Sequence, residues 1–392
     1  MKFNSSVLVF GGDDLQLSII KKCISNNLFT VIIDPNPNAK GKEIAHAFEV
    51  VAGNDFEKTC QVIEKYNIKA IITAATDKPL IMMAEIAEKY NFIFFSKNTA
   101  IKSTDKYLMK TQFQMHHIPC ANGFLSDSID SSLSFPVIVK PRDNSGSRGV
   151  FYCSSQEDAE RAIVESLSYS KKDTILIEEV IEGREFSIES LHCNNVTTVV
   201  QYTEKITTLF PYNVELGHIQ PAQLSDEEKR KINKIIERIA KALEFENCVS
   251  HTELKINDKG IFVIETSPRL GGDFITSTLT QLSTDFDIEQ ALIDISLGKN
   301  ILPEIKANSY CGIFYFNFKE GIVEKVKDFS DIFNSNSIQE LKCILSSGFK
   351  IKLIKNSLDR YGHFIITAHS REELMQLSVE IIKKVEHKII MK

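Results

Sequence analysis

The chain has 392 residues, of which 43% are hydrophobic and 25% charged, and carries a formal net charge of −6. That size and balance suit a globular protein of two or three domains with a sizeable core. No apolar run approaches the roughly 20 residues that span a bilayer, and an acidic balance without a basic stripe argues against nucleic-acid binding. The eight cysteines show no CxxC pair and no metal-ligand spacing, and read as small core residues in a reducing cytosol. Met1–Ser6 runs straight into a strand without a signal-peptide pattern. A cytoplasmic location, with no membrane and no nucleic-acid partner, is the expectation.

Over the first hundred residues, short apolar runs alternate with helical patterns. Ser6–Phe10, Thr30–Asp34, Ala70–Thr73 and Phe92–Phe95 read as strands. Phe56, Cys60, Ile63 and Asn67 fall at helical spacing, as do Leu80, Met83, Ala84 and Ala87. Alternating elements with unbroken apolar strands predict a parallel sheet covered on both faces. Gly11-Gly12 ends the first strand and Asp34 the second, a superficial likeness to a dinucleotide fold. The fingerprint fails, because Gly11–Gln16 lacks GxGxxG and puts Asp13 and Asp14 where a pyrophosphate would sit. An oxidoreductase is a poor fit, and Gly11-Gly12 reads equally as a tight turn.

A second unit starts with a helix near Ser103–Lys106. Phe135–Pro141 and Thr174–Val180 read as strands flanking a helix that opens at Ser155. Phe186–Ser190 and Val196–Glu204 form an antiparallel pair around a turn at Cys193-Asn-Asn. Ser225 and Glu228 form a capping box for a helix with Ile232, Ile235, Ile236, Ile239 and Leu243 on one face. From about residue 300 the chain returns to strands, Cys311–Phe316 and Phe364–Thr367. It closes with a helix capped by Ser370 and Glu373 that buries Leu374, Leu377, Ile381 and Val385.

The richest stretch for chemistry is Gly260–Asp273. An apolar strand ends at Glu265 and is followed by Ser267, Arg269 and Gly271-Gly272. Glu253 lies on the preceding alternating run, and a turn at Lys259-Gly260 would bring both carboxylates to one side of adjacent strands. Two carboxylates and a small polar oxygen are hard ligands suited to Mg²⁺ bridging phosphates, and the arginine can hold an anion in bidentate fashion. A strand-edge acid in a surface salt bridge is the alternative. Lys140 ends an apolar strand, and Pro141 throws the chain into a Ser/Gly loop through Gly149. Small residues there let backbone N–H groups converge on an anion, although no P-loop pattern is present. Glu178, Glu179, Ile181 and Glu185 surround a turn at Gly183, where a nucleotide base needs an apolar slot and a ribose needs a carboxylate. A solvated surface role is the alternative for Glu185.

Lys106, Val139-Lys140-Pro141 with its loop, Ile177–Glu185 and paired Glu253/Glu265 occur in an order that resembles the ATP-grasp superfamily. Within it, His251–Lys255, Glu265–Asp273 and Glu215–Ala222 look most like the L-amino-acid ligase, or carboxylate–amine ligase, branch. The resemblance implies an ATP-grasp fold of mixed α/β and α+β class. Its parts would be a Rossmann-like pre-ATP-grasp domain at 1–102 and an ATP-grasp domain at 103–300, with a nucleotide lid about 125–185 and a Mg-carboxylate core about 186–300. A C-terminal α+β subdomain would follow at 301–392. It implies ATP and Mg²⁺ as cofactors, with Mn²⁺ as a substitute. Lys106 and Lys140 would contact the ATP phosphates, covered by the loop of Ser145, Gly146, Ser147 and Gly149. Glu178, Glu179 and Ile181 would face the adenine and Glu185 the ribose. Glu253 and Glu265 would hold Mg²⁺, with Ser267 at a third metal position that is usually asparagine in the family. Arg269, Gly271 and Gly272 would bind acyl phosphate and substrate, and His218 and His251 are candidates for orienting substrate. A hydrogen-bonded structural role is the alternative for both histidines.

The implied reaction is ADP-forming carbon–nitrogen ligation of a small-molecule carboxylate and an amine through an acyl phosphate, with an amino acid as the expected substrate and a homodimer as the expected assembly. Lys140 and Arg269 would carry the chemistry by positioning and charge neutralisation. The competing readings are a formate-dependent transformylase or biotin-carboxylase-like carboxylase, and a non-catalytic nucleotide-binding protein.

Overall fold

Four parallel strands open the chain. In the computed structural model, which describes residues 3–128, 133–144, 146–333 and 336–392, β1 (Ser5–Phe10), β2 (Leu28–Asp34), β3 (Ala47–Val50) and β4 (Ala70–Thr73) lie in the order β3-β2-β1-β4. Val7, Leu8 and Val9 are fully buried, as expected of a central strand covered on both faces. Helices α1 (Leu17–Ser25), α2 (Phe56–Tyr66) and α3 (Leu80–Tyr90) supply the cover, and Asn67 ends α2 in a left-handed conformation. The strand expected at Phe92–Phe95 does not form, and β3 provides the fourth strand at the opposite edge. Only four residues separate the left-handed cap of α3 at Asn91 from Ser96, which caps the next helix. The segment spends its aromatics on packing instead, with Phe94 and Phe95 ring centroids 4.0 Å apart.

Two helices then run end to end. Ser96 caps α4 (Lys97–Thr104), which the sequence reading did not anticipate, and Asp105 caps α5 (Lys106–Met115) by accepting from the Tyr107 and Leu108 amides. A small antiparallel sheet follows, β5 (Gly123–Ser126), β6 (Val137–Lys140), β7 (Phe151–Cys153) and β8 (Ile175–Glu179), in the order β5-β8-β6-β7. Helix α6 (Gln156–Ser168), capped by Ser155, covers it and closes a core of Val137, Val139, Ala159, Ile163, Ile175 and Ile177.

The third and largest sheet has eight strands. It is built from β9 (Arg184–Cys193), β10 (Val196–Thr207), β11 (Glu215–Gln220), β12 (Cys248–Asn257), β13 (Gly260–Ser267) and β14 (Tyr310–Tyr315), and continues after β15 (Gly321–Val326) with β16 (Ile338–Cys343) and, after β17 (Lys350–Ile351), β18 (Gly362–Ala368). Its order is β13-β12-β9-β10-β11-β14-β18-β16, so the late strands extend the sheet that carries Glu253 and Glu265. A short sheet β17-β15-β19, with β19 (Ile389–Met391), closes the C-terminal region.

The β9–β10 turn passes through Asn194 and Asn195, both left-handed, the backbone that a two-residue hairpin requires. Helix α7 (Asp226–Leu243) starts at the Ser225/Glu228 capping box and buries Ile232, Ile235, Ile236, Ile239 and Leu243. Helices α8 (Thr280–Thr284), α9 (Ile288–Ser296), α10 (Ser330–Phe333) and α11 (Arg371–Glu386) complete the chain. Among the described residues no helix is long and apolar enough to cross a membrane.

Candidate active site

A cleft opens between the small antiparallel sheet and the eight-stranded sheet. Lys106, Lys140, Gly146, Ser147, Glu178, Glu179, Ile181, Glu185, Glu253 and Glu265 all line it. Ser145, placed in the same set by sequence, lies outside the described residues. Gly149 sits behind the loop: its φ is +76°, and a β-carbon there would come within 2.9 Å of Pro141 and Tyr169. Gly146 and Ser147 also have positive φ, so the loop backbone adopts the kind of turn whose N–H groups form anion-binding concavities.

One wall of the cleft is cationic. Lys140, at the end of β6, pairs with Glu178 on the neighbouring β8, and Lys110 reaches the other oxygen of the same carboxylate at 2.9 Å. Burial pushes the Glu178 carboxyl up, but Lys140 and Lys110 outweigh it and hold the group below the usual carboxylate range. Glu178, expected against the adenine, is thus buried between two lysines. Lys110 was not singled out from sequence, although it stands four residues after Lys106, on the same face of one helix. Glu179 turns outward and accepts from the Asn122 amide at 2.8 Å.

The turn after β8 is pressed onto the core. Gly183 has φ +141°, and a β-carbon there would lie 2.3 Å from the Ile256 carbonyl oxygen. This close approach sends β9 inward, so that Glu185 meets Lys205 at 3.0 Å and Lys255 at 3.3 Å. Lys205 is also 3.0 Å from Glu253 and 3.4 Å from Glu215. Sequence reasoning missed Lys205. Its only local signal is a charged residue between alternating positions of β10, a pattern shared by many exposed strand lysines.

The two acids proposed for metal face each other in register across β12 and β13, Glu253 opposite Glu265. Lys106 contacts Glu265 at 2.9 Å and donates to the Asn144 carbonyl at 2.9 Å. No group of three or more His, Cys, Asp or Glu able to hold a metal occurs among the described residues. Two hard carboxylates in a cleft with cationic walls fit Mg²⁺ that keeps its remaining positions for phosphate oxygens and water. Ser267 is otherwise engaged: its hydroxyl donates to Asp77 at 2.5 Å.

Beyond Ser267 lies a second neighbourhood that adjoins the cleft through His251. The His251 ring is 2.5 Å from Glu189 on one side and 3.4 Å from Glu253 on the other. Burial would lower the His251 pKa, but Glu189 outweighs it and the value rises to about 9. Gly271 packs so closely here that a β-carbon would fall 2.8 Å from His251, whereas one on Gly272 would meet only Ala75, at 3.8 Å. Arg269 pairs with Asp77 at 3.0 Å. His218 is 3.3 Å from Asp273, which Arg360 from the loop before β18 grips with both terminal nitrogens at 2.6 and 2.8 Å. Arg360 also lies 3.7 Å over the Tyr315 ring. Asp77, Glu189 and Arg360 come from distant segments, and nothing local marks them, whereas Asp273 closes the Glu265–Asp273 stretch.

Residues 133–277 match a family model described as the ATP-grasp domain. Across its whole length the chain superposes on an L-amino acid ligase from Bacillus licheniformis, with a TM-score of 0.85 at 19% identity and full coverage of both chains. It is 23% identical over 267 residues to an uncharacterized protein of Sinorhizobium fredii, covering 65% of this chain and 54% of that one. It is 27% identical over 230 residues to the carbamoyl phosphate synthase large chain of Myxococcus xanthus, covering 54% and 21% respectively. The chain therefore spans about half or less of the length of these two relatives.

Proposed function

From an ATP-grasp domain set in an ATP-grasp fold, we propose that this chain is an ATP- and Mg²⁺-dependent carboxylate–amine ligase acting on an amino acid. The observation that carries the reading is the register pair Glu253–Glu265 in the same cleft as Lys106, Lys140 and the left-handed Gly146 and Ser147. Phosphoryl transfer needs positioning and charge neutralisation more than covalent catalysis, and the cations and paired acids of this cleft would supply both.

When bound, ATP would convert a carboxylate to an acyl phosphate, which an amine attacks with loss of phosphate. Lys140 and Lys106 would neutralise the phosphates, and the loop amides would cover them. Val180 and Ile181 would offer the base an apolar edge, and Glu185 would accept from the ribose hydroxyls. Glu253 and Glu265 would hold Mg²⁺, which supplies charge neutralisation at the phosphates. Arg269 and the Gly271-Gly272 backbone would bind the acyl phosphate and the substrate carboxylate, with His218 and His251 orienting the acceptor. In this reading residues 1–102, 103–300 and 301–392 are the pre-ATP-grasp, ATP-grasp and C-terminal parts.

The N-terminal sheet favours a free amino acid over a phosphosugar. A phosphosugar would need the Gly11-Gly12 turn as an anion cradle. The Gly12 amide instead donates to the protein's own Asp34 at 2.7 Å, and the Gly41 amide donates to the Gly12 carbonyl at 2.7 Å. The test is phosphate release from Mg-ATP across pooled amino acids and small carboxylates, with Lys140→Ala as control. Release confined to amino-acid pools supports the proposal. Release with phosphosugars and formate or bicarbonate alone would replace it with the transformylase or carboxylase reading.

A further inference from the structure

The proposed anion-binding Arg269 does not stand alone at the end of β13. Three of its five N–H donors are already placed: Nε on Asp77 Oδ1 at 3.0 Å, Nη2 on Asp77 Oδ2 at 3.3 Å, and Nη1 on the Leu270 carbonyl at 3.0 Å. Among the described residues the other two take no partner, and an anion can take them. The same Asp77 oxygen accepts from Ser267 at 2.5 Å. One carboxylate thus fixes both Ser267 and Arg269.

Asp77 comes from elsewhere in the fold. It lies in the loop between β4 and α3, so it reaches from the N-terminal parallel sheet to the eight-stranded one. Its pairing geometry is the side-on fork of a guanidinium and a carboxylate, which sets the plane of the arginine as well as its charge. Burial would raise the Asp77 carboxyl, but Arg269, Ser267 and Lys106 outweigh it and keep the group ionised. The serine at position 267 fits this role, because its short hydroxyl meets a carboxylate delivered from the other sheet.

We propose that Asp77 is a positioning residue for Arg269, contributed by the N-terminal domain, and that Ser267 serves this contact instead of a metal. The inference rests on the ligase reading for the identity of the anion, a phosphoryl group, but its geometry does not depend on the substrate. Loss of Asp77 leaves Arg269 present but free to rotate away. Misplacement of a catalytic group by about 1 Å costs on the order of a hundredfold in rate.

The experiment uses the full chain with Asp77→Asn, Asp77→Glu and Arg269→Ala. Calorimetry reads Mg-ADP binding, then inorganic phosphate binding to the Mg-ADP complex, and turnover is measured on any active amino-acid pool. For Asp77→Asn the expected result is unchanged Mg-ADP affinity with phosphate binding about tenfold weaker, and a lower melting temperature because Arg269 keeps its charge without a carboxylate partner. Its kcat should fall ten- to a hundredfold at constant KM for ATP. Asp77→Glu should recover part of both losses, and Arg269→Ala should lose phosphate binding entirely. Unchanged phosphate binding in Asp77→Asn overturns the proposal, as does a parallel loss of Mg-ADP affinity. Wild-type protein that binds no phosphate also overturns it, by removing the anion from Arg269. Weakened phosphate binding in Asp77→Asn, with no pool turned over by wild type, upholds the positioning role and sinks only the ligase reading.

Discussion

The Lys205 ammonium lies 3.0 Å from the Glu253 carboxylate, at a point where Glu185 and Glu215 also converge at 3.0 and 3.4 Å. Burial alone would lower the Lys205 pKa, but the three glutamates outweigh it and lift the group well above its usual value. The cation therefore separates three acids that would otherwise repel one another. Lys205→Met should cost about 3–5 kcal/mol of stability, the cost of stripping one partner from a buried ionic cluster. Urea unfolding of the two proteins checks this, and a difference below 1 kcal/mol would count against the cluster as a structural unit.

Lys140 and Lys110 divide one carboxylate, which separates their expected roles. Lys140→Ala should abolish turnover and weaken nucleotide binding if the residue, which lines the cleft, neutralises the phosphates as proposed. The fold should survive, since Lys110 stays 2.9 Å from Glu178 and no buried charge loses its last partner. Calorimetric titration with Mg-ATP and circular dichroism together decide the matter. Full nucleotide affinity in the variant would remove Lys140 from the phosphate set.

How far the sequence reaches depends on the range of each signal. The Ser225/Glu228 capping box, the Asn194-Asn195 turn and the apolar face of α7 are encoded within a few residues, and each was readable. The β12–β13 hairpin was also readable, because its turn fixes the register that puts Glu253 opposite Glu265. Phe92–Phe95 misled because an apolar run announces burial without saying whether a strand neighbour is available. Asp77, Lys205 and Arg360 stayed hidden for a related reason: their partners lie on other strands or loops, at separations no periodicity can carry. Ser267 was read as a small polar metal ligand at a position that is usually asparagine. Its partner, Asp77, became visible only with both sheets in place.

Gly183 holds the entrance to β9 by contact, and the prediction there is steric. Its φ of +141° already excludes most side chains, and a β-carbon would sit 2.3 Å from the Ile256 oxygen. Gly183→Ala should destabilise by about 2 kcal/mol or more, from combined strain and overpacking. It should also weaken nucleotide binding, because Glu185 follows two residues later. Gly260→Ala is the control: the φ is equally positive at +143°, but nothing lies within 4 Å of an added β-carbon. If both variants melt alike, strain alone explains the loss and the contact with β12 carries no weight.

His192 gives the chain an acid-sensitive point away from the cleft. It is buried in β9, with Nε2 2.8 Å from the Ser250 hydroxyl and Nδ1 3.0 Å from Thr197. No carboxylate compensates its burial, and its pKa falls to about 3. In the unfolded chain the same ring takes up a proton near pH 6.5. Between those two values the unfolded state binds more protons than the folded one, so stability falls as pH is lowered through that window and returns as pH rises. One proton corresponds to about 1.4 kcal/mol per pH unit. His192→Asn has no proton to take up, so its stability should fall less steeply from pH 6 to pH 4. Other acids titrate in both proteins and cancel in the difference. Urea unfolding at half-unit pH intervals provides the two curves. Convergence toward low pH, at close to one proton's slope, is the expected result, and parallel curves would mean that His192 does not control the acid limit.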